Sequence, residues 1–171
     1  MGRCWIGAGL AGAFLAMAPL SSVAQTLPKP SGPVLLVVTG DIAVTNDADA
    51  ARFDLALLDS LPQHSFVTAT IWTNRSATYS GVLLKDLLQV VGAQGKQLEA
   101  TALNDYRITL PLEEATDKAP LLATRADGVP LTVRTKGPIW LLYPFDTDDR
   151  YRTEETFARA IWQLDRIRIV D

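Results

Sequence analysis

Cysteine and histidine are almost missing from this sequence, which has one of each among its 171 residues. A structural zinc site takes about four cysteine, histidine or carboxylate ligands. A Ser-His-Asp triad would have to use His64, the single histidine. Its position beside Pro62 and Gln63 favours a surface or capping role for His64 instead. The composition therefore argues against most zinc enzymes and triad hydrolases.

An excess of basic residues is also missing. The chain has 16 lysines and arginines against 19 acidic residues, a net charge of -3. Nucleic-acid-binding domains usually carry a basic patch, so we expect no nucleic-acid partner. Hydrophobic residues make up 48% and charged residues 20%, which is typical of a folded globular chain. The length suits one domain.

The first 24 residues have the pattern of a secretory signal peptide. Arg3 precedes an apolar run at residues 5–18, and Ser22-Val23-Ala24 provides small residues for cleavage before Gln25. This predicts export to the periplasm, the alternative being an uncleaved membrane anchor. Cys4 lies inside the segment, so the mature chain is predicted to contain no cysteine.

The remaining sequence predicts an extended lead-in and one α+β domain. Residues 25–33 contain three prolines and form the lead-in, and residues 34–171 form the domain. Apolar spacing predicts helices at residues 46–61, 84–91 and 157–162. Strands are predicted at residues 34–38, 65–72, 98–103, 107–110, 121–125, 139–143 and 166–169.

Polar and aromatic residues concentrate at strand ends, in segments 72–75, 104–107 and 134–140. A flat heteroaromatic ligand needs an aromatic wall and a few directed donors and acceptors, which these segments contain. Asp105 could accept hydrogen bonds from an amino-pyrimidinone edge, although Asn104-Asp105 is also a good turn pair. For Trp140, a place in the core is favoured over one in the ligand wall. The candidate ligand-binding residues are Trp72, Thr73, Arg75, Asn104, Asp105, Tyr106, Arg134, Lys136 and Trp140.

Blocks of sequence along most of the mature chain resemble the molybdopterin-binding domain of the sulfite oxidase superfamily. They occur in the order of that family, at residues 81–88, 102–106, 121–128, 136–144 and 161–167. The resemblance implies a sulfite oxidase-like molybdopterin-binding fold that is mainly β with a few short helices. It also implies a pterin pocket.

The chain differs from the enzymes of this superfamily at the metal ligand. Those enzymes hold molybdenum through a cysteine that follows a strand equivalent to residues 65–71, where this sequence reads Ile71-Trp72-Thr73-Asn74. A hydroxyl or an indole does not replace a thiolate as a soft ligand. We therefore expect no molybdenum, no catalytic residues and no enzymatic activity.

Three hypotheses for the function remain. The chain looks like the short exported branch of the superfamily, some members of which are periplasmic pterin-binding regulators. By resemblance, it would bind a pterin and regulate the periplasmic domain of a membrane-bound diguanylate cyclase or phosphodiesterase of cyclic di-GMP. The second hypothesis is a small molybdopterin-dependent oxidoreductase with an atypical metal ligand set. The third is a structural or assembly protein without a ligand. The absence of cysteine from the mature chain favours the first.

Overall fold

The computed structural model describes residues 1–2 and 26–171. The predicted cleavage site, Cys4 and nearly all of the predicted signal peptide lie outside the described residues. Within those two ranges, no helix combines the length and the apolar character needed to cross a membrane.

Strands dominate the described part of the chain. Strands account for 37% and helices for 20%, which confirms the predicted α+β class with mostly β structure. The strands are β1 (Leu36–Gly40), β2 (Ala51–Phe53), β3 (Gln63–Thr68), β4 (Ala77–Leu83), β5 (Gln97–Ala102), β6 (Arg107–Pro111), β7 (Leu121–Ala126), β8 (Val129–Pro130), β9 (Trp140–Leu142) and β10 (Leu164–Val170). The α-helices are α1 (Leu55–Ser60), α2 (Leu84–Val91) and α3 (Glu154–Arg159), and short 3-10 turns occur at Leu112–Glu114, Val133–Thr135 and Asp149–Tyr151.

The first sheet has the strand order β2-β1-β10-β5-β6. Strand β10 lies at its centre, parallel to β1 and antiparallel to β5. Along β10, Ile167 and Ile169 are buried whereas Arg166 and Arg168 are exposed, so one face packs on the core. This confirms the alternating strand that the sequence predicts near the C-terminus.

The second sheet has the order β3-β4-β7-β8, and β9 also pairs with β7. Strands β9 and most of β7 are buried, as their continuous apolar sequences predict. Gly81 of β4 lies so close to β7 that a Cβ atom there would meet the Leu122 carbonyl oxygen at 2.0 Å. Only glycine fits this close approach.

Helix α2 agrees with its prediction. Leu84, Leu87, Leu88 and Val91 are buried on one face. Gly92 ends the helix in the left-handed conformation, with φ 61°. The spacing of these apolar residues was therefore a sufficient signal for a helix.

The predicted helix at residues 46–61 is wrong over its first half. Asn46 does not cap a helix, because its side-chain amide donates to the carbonyl oxygens of Pro28 (2.7 Å) and Arg52 (2.9 Å). Its side-chain oxygen accepts from the Arg52 N–H at 2.8 Å. These bonds close a turn that leads into β2, and α1 begins only after Asp54.

Two further boundaries differ from the predictions. Strand β3 ends at Thr68, before the predicted end at residue 72, because the following residues form a loop with its own hydrogen bonds. The predicted helix at residues 157–162 lies three residues earlier, as α3. The Thr153 hydroxyl accepts from the Thr156 N–H at 3.1 Å and sets this earlier start.

Asp54 joins the lead-in to the domain. One carboxylate oxygen accepts from the N–H groups of Ser31 (2.8 Å) and Gly32 (2.7 Å), and the other accepts from Leu57 (2.8 Å) at the start of α1. The Leu57 N–H, followed by that of Gly32, holds the pKa of Asp54 below its ordinary value of 3.8. The charged form of Asp54 therefore stabilises the fold.

We predict that Asp54→Asn lowers the midpoint of thermal unfolding at neutral pH. Because the folded pKa of Asp54 is lowered, its stabilisation is present above the unfolded pKa and is lost as the pH falls through the folded pKa. The gap between wild type and variant should therefore close in acid. Calorimetry across this range measures it, with Asp49→Asn at an exposed turn position as the control. A gap that stays constant with pH would contradict the role of the charge.

Candidate functional site

The loop after β3, residues 69–76, is held by hydrogen bonds to side-chain oxygen atoms. The hydroxyls of Thr70 and Thr73 are 2.9 Å apart, and the Trp72 N–H donates to Thr70 Oγ1 at 3.2 Å. The Ala69 N–H donates to the Asp146 carboxylate at 2.5 Å. This bond, together with Arg152, holds the pKa of Asp146 below its usual range. The loop thus fixes Trp72 in place.

Trp72 is the centre of an aromatic cluster formed with Trp140, Phe145, Phe157 and Trp162. Its ring centroid lies 5.4 Å from that of Trp162, 6.0 Å from those of Trp140 and Phe157, and 6.4 Å from that of Phe145. Most of these pairs meet edge to face, which aromatic rings favour. The aromatic cluster therefore positions the indole rings of three tryptophans rigidly.

One side of the aromatic cluster borders a cleft of about 830 Å³, which we call the cationic cleft. Its walls come from the 72–79 segment, the turn between β7 and β8, and the 3-10 turn at Val133–Thr135. Arg75, Arg134 and Lys136 line it, against a single acidic lining residue, Asp127. The cleft therefore carries net positive charge.

The cations of the cleft have different partners. Arg75 pairs with Asp127 at 2.7 Å. The Lys136 ammonium lies over the rings of Trp162 (4.5 Å) and Trp140 (5.6 Å), as in a cation–π contact. The Thr78 N–H, and then Arg75, lower the pKa of Asp127, so this carboxylate is charged at and above neutral pH. The cleft thus offers both donors and a charged acceptor.

The aromatic cluster also borders a smaller cavity of about 310 Å³, which we call the apolar pocket. Trp72, Phe157, Trp162 and Tyr106 are its aromatic walls, and Asn104 is also in the lining. Trp72 lines both cavities. Trp72 is therefore a wall that the two cavities share.

The structure divides the predicted site residues between these cavities. Six of them line the cationic cleft: Trp72, Thr73, Arg75, Arg134, Lys136 and Trp140. Trp140 is also 1% exposed, so it serves the core as well. Asn104 and Tyr106 line the apolar pocket instead.

Asp105 lines neither cavity. It adopts a turn conformation with φ 63° and pairs with Arg166 at 2.8 Å, with its side chain 80% exposed. Sequence reasoning missed Asp127, a carboxylate that does line the cleft. Its Asp-Gly dipeptide signalled only a turn, and nothing in the sequence placed that turn beside Arg75.

A comparison with protein families agrees with this architecture. Residues 62–146 match the family model of the oxidoreductase molybdopterin binding domain. Through these residues the chain belongs to the molybdopterin-binding domain family of the sulfite oxidases. The match includes Trp72, Tyr106 and the cations of the cleft, whereas Phe157 and Trp162 follow it. A search of curated proteins found no match to the chain.

The family binds molybdopterin, so the donor groups at the site must be compared with that cofactor. No group of three or more histidine, cysteine or acidic side chains that could hold a metal occurs within the described ranges. The loop at 69–76 contains hydroxyls but no thiol. These side chains do not fit a thiolate-held molybdenum. The indole walls and charged groups of the cleft do fit a flat heterocycle such as a pterin.

We predict that Trp72→Ala lowers the free energy of unfolding by about 2 kcal/mol, since it removes a partly buried ring from the aromatic cluster. Denaturant titration measures the change. The neighbouring Ile71 is 66% exposed, so Ile71→Ala should change stability by no more than about 0.5 kcal/mol. Equal changes in the free energy of unfolding for the two substitutions would mean that the Trp72 ring does not stabilise the aromatic cluster.

Proposed function

We propose that the protein is a periplasmic sensor that binds a reduced pterin in the cationic cleft. Ligand occupancy would regulate the periplasmic domain of a membrane-bound diguanylate cyclase or phosphodiesterase of cyclic di-GMP. The observation that carries this proposal is the cleft itself. Indole rings line it together with three cations and a carboxylate, in a domain whose family binds molybdopterin.

The chemistry of a pterin matches the groups in the cleft. Its flat ring can lie against the indoles of Trp72 and Trp140. Its carbonyl can accept a hydrogen bond from Arg134 or Lys136. Its amino group can donate to Asp127, since an ionised carboxylate has about four acceptor positions and the observed partners of Asp127 are Thr78 and Arg75.

Binding without catalysis is supported by the donor set. Residues 71–74 supply no thiolate, so we propose a pterin as ligand rather than a molybdenum cofactor as catalyst. The signal-like sequence at residues 1–24 supports a periplasmic location, and the family resemblance supports the cyclic di-GMP partner.

We predict that 6-hydroxymethyl-tetrahydropterin binds and quenches tryptophan fluorescence. Lys136→Met should weaken its binding by about tenfold, because the substitution removes a charged donor and keeps most of the side-chain length. Anaerobic calorimetric titration gives the affinity. Lys96→Met, at an exposed site outside both cavities, is the matched control.

Two carboxylate variants refine this test. Asp127→Asn should weaken binding, whereas Asp105→Asn should not, because only Asp127 lines the cleft. If Asp105→Asn weakened binding and Asp127→Asn did not, Asp105 would be the residue that accepts a hydrogen bond from the pterin. Absence of pterin binding by the folded wild type would refute the proposal. Near-equimolar molybdenum in protein from a molybdate-fed host would instead favour the oxidoreductase hypothesis.

We also predict thermodynamic coupling between ligand and partner. A ligand regulates a partner only if it binds the free and complexed protein with different affinity. Allosteric coupling is typically about 1–3 kcal/mol, and each ligand then changes the affinity of the other by the same factor. Titrating pterin with and without the purified periplasmic domain measures this factor. Identical dissociation constants would refute the sensor function while leaving pterin binding intact.

A further inference from the structure

We propose that the apolar pocket binds an aryl group carried by the same ligand that occupies the cationic cleft. This inference rests on the proposed function and names its ligand class, a pterin with an aromatic substituent. A pterin without one would occupy the cleft alone and leave the pocket unfilled.

The two cavities meet at Trp72, which contributes to the walls of both. Trp162 is a second connection, since its ring is a wall of the pocket and also lies 4.5 Å from the Lys136 ammonium of the cleft. A ligand that binds on both sides of these indoles must have a polar heterocyclic part and an apolar part. The cleft supplies the charged groups for the first, and the pocket has none in its lining.

The pocket has the right size and shape for one aromatic ring. Its volume is about 310 Å³. An apolar cavity of about 150 Å³ is enough to bind benzene. Aromatic side chains form several of its walls, and a ring can meet them edge to face or stacked. The pocket therefore has room for a substituted phenyl ring but not for a second large ligand.

Two polar residues in the lining of the pocket suit a substituted ring. The Tyr106 hydroxyl donates to the Ala158 carbonyl oxygen at 3.3 Å, and the Tyr106 side chain is half exposed. The Asn104 side-chain oxygen accepts from the Tyr106 N–H at 3.2 Å. This bond leaves the Asn104 amide NH₂ as a donor for a carbonyl or carboxylate on the ring.

Two reduced pterins test the inference under anaerobic conditions. Tetrahydropteroate carries an aminobenzoate ring, and 6-hydroxymethyl-tetrahydropterin does not. We expect tetrahydropteroate to bind about tenfold more tightly to the wild type, because its ring buries additional apolar surface. Ala158 lines the pocket from an exposed position on α3, so Ala158→Phe should occupy part of the pocket and remove this preference, while the hydroxymethyl ligand in the cleft keeps its affinity. Ala158→Ser is the matched control and should keep the preference.

The outcomes separate this inference from the proposed function. Equal affinity of the wild type for the two pterins would overturn the inference and leave pterin binding intact. Equal weakening of both ligands by Ala158→Phe would also overturn it, because the pocket would then hold the pterin ring itself. Failure of both ligands to bind would refute the proposed function. If Ala158→Phe does not fold, Tyr106→Ala should reduce the preference by opening the pocket.

Discussion

The packing of Trp72 against the aromatic cluster is the interaction on which the rest of the site depends. Trp140 belongs to the second sheet, whereas Trp162 lies just before β10 of the first. These two residues form a β-bridge, and the Trp140 indole donates to the Ala160 carbonyl oxygen at 3.3 Å. Trp72 closes this junction from the loop after β3. The rings at the junction of the sheets thus also form part of the walls of the two cavities.

The charges around the cleft follow from that arrangement. Arg75 is neutralised by Asp127, but Lys136 is held by the faces of Trp140 and Trp162. A cation–π contact leaves donors of the ammonium group for another acceptor. A ligand can therefore engage Lys136 without breaking an ion pair observed in the structure.

Local patterns predicted the elements whose buried residues recur at regular spacing along the chain. The buried face of α2 and the alternation in β10 were both visible in the sequence, because each depends on spacing along the chain. The turn at Asn46 was not, since its side chain bonds to Pro28, 18 residues away. The site carboxylate was missed for the same reason. Pairing of β4 with β7 brings Asp127 against Thr78, whereas the β5–β6 turn directs Asp105 to Arg166. Spacing along the chain contains no information about which turn faces the indoles.

The loop at residues 69–76 contains no thiol, and it also contributes Trp72 to the proposed binding site. By the resemblance to the sulfite oxidase enzymes, a catalytic domain would present its metal-ligating cysteine near this loop, and metal coordination would help to hold the loop's shape. Here the Thr70 and Thr73 hydroxyls and the Asp146 carboxylate hold the loop instead. Because the loop is fixed without a metal, it can present the Trp72 ring in a constant position. A preorganised ring loses little conformational freedom on binding, so its contact area contributes more fully to affinity. The threonine hydroxyls thus help to hold Trp72 where it lines the cleft of the proposed pterin site.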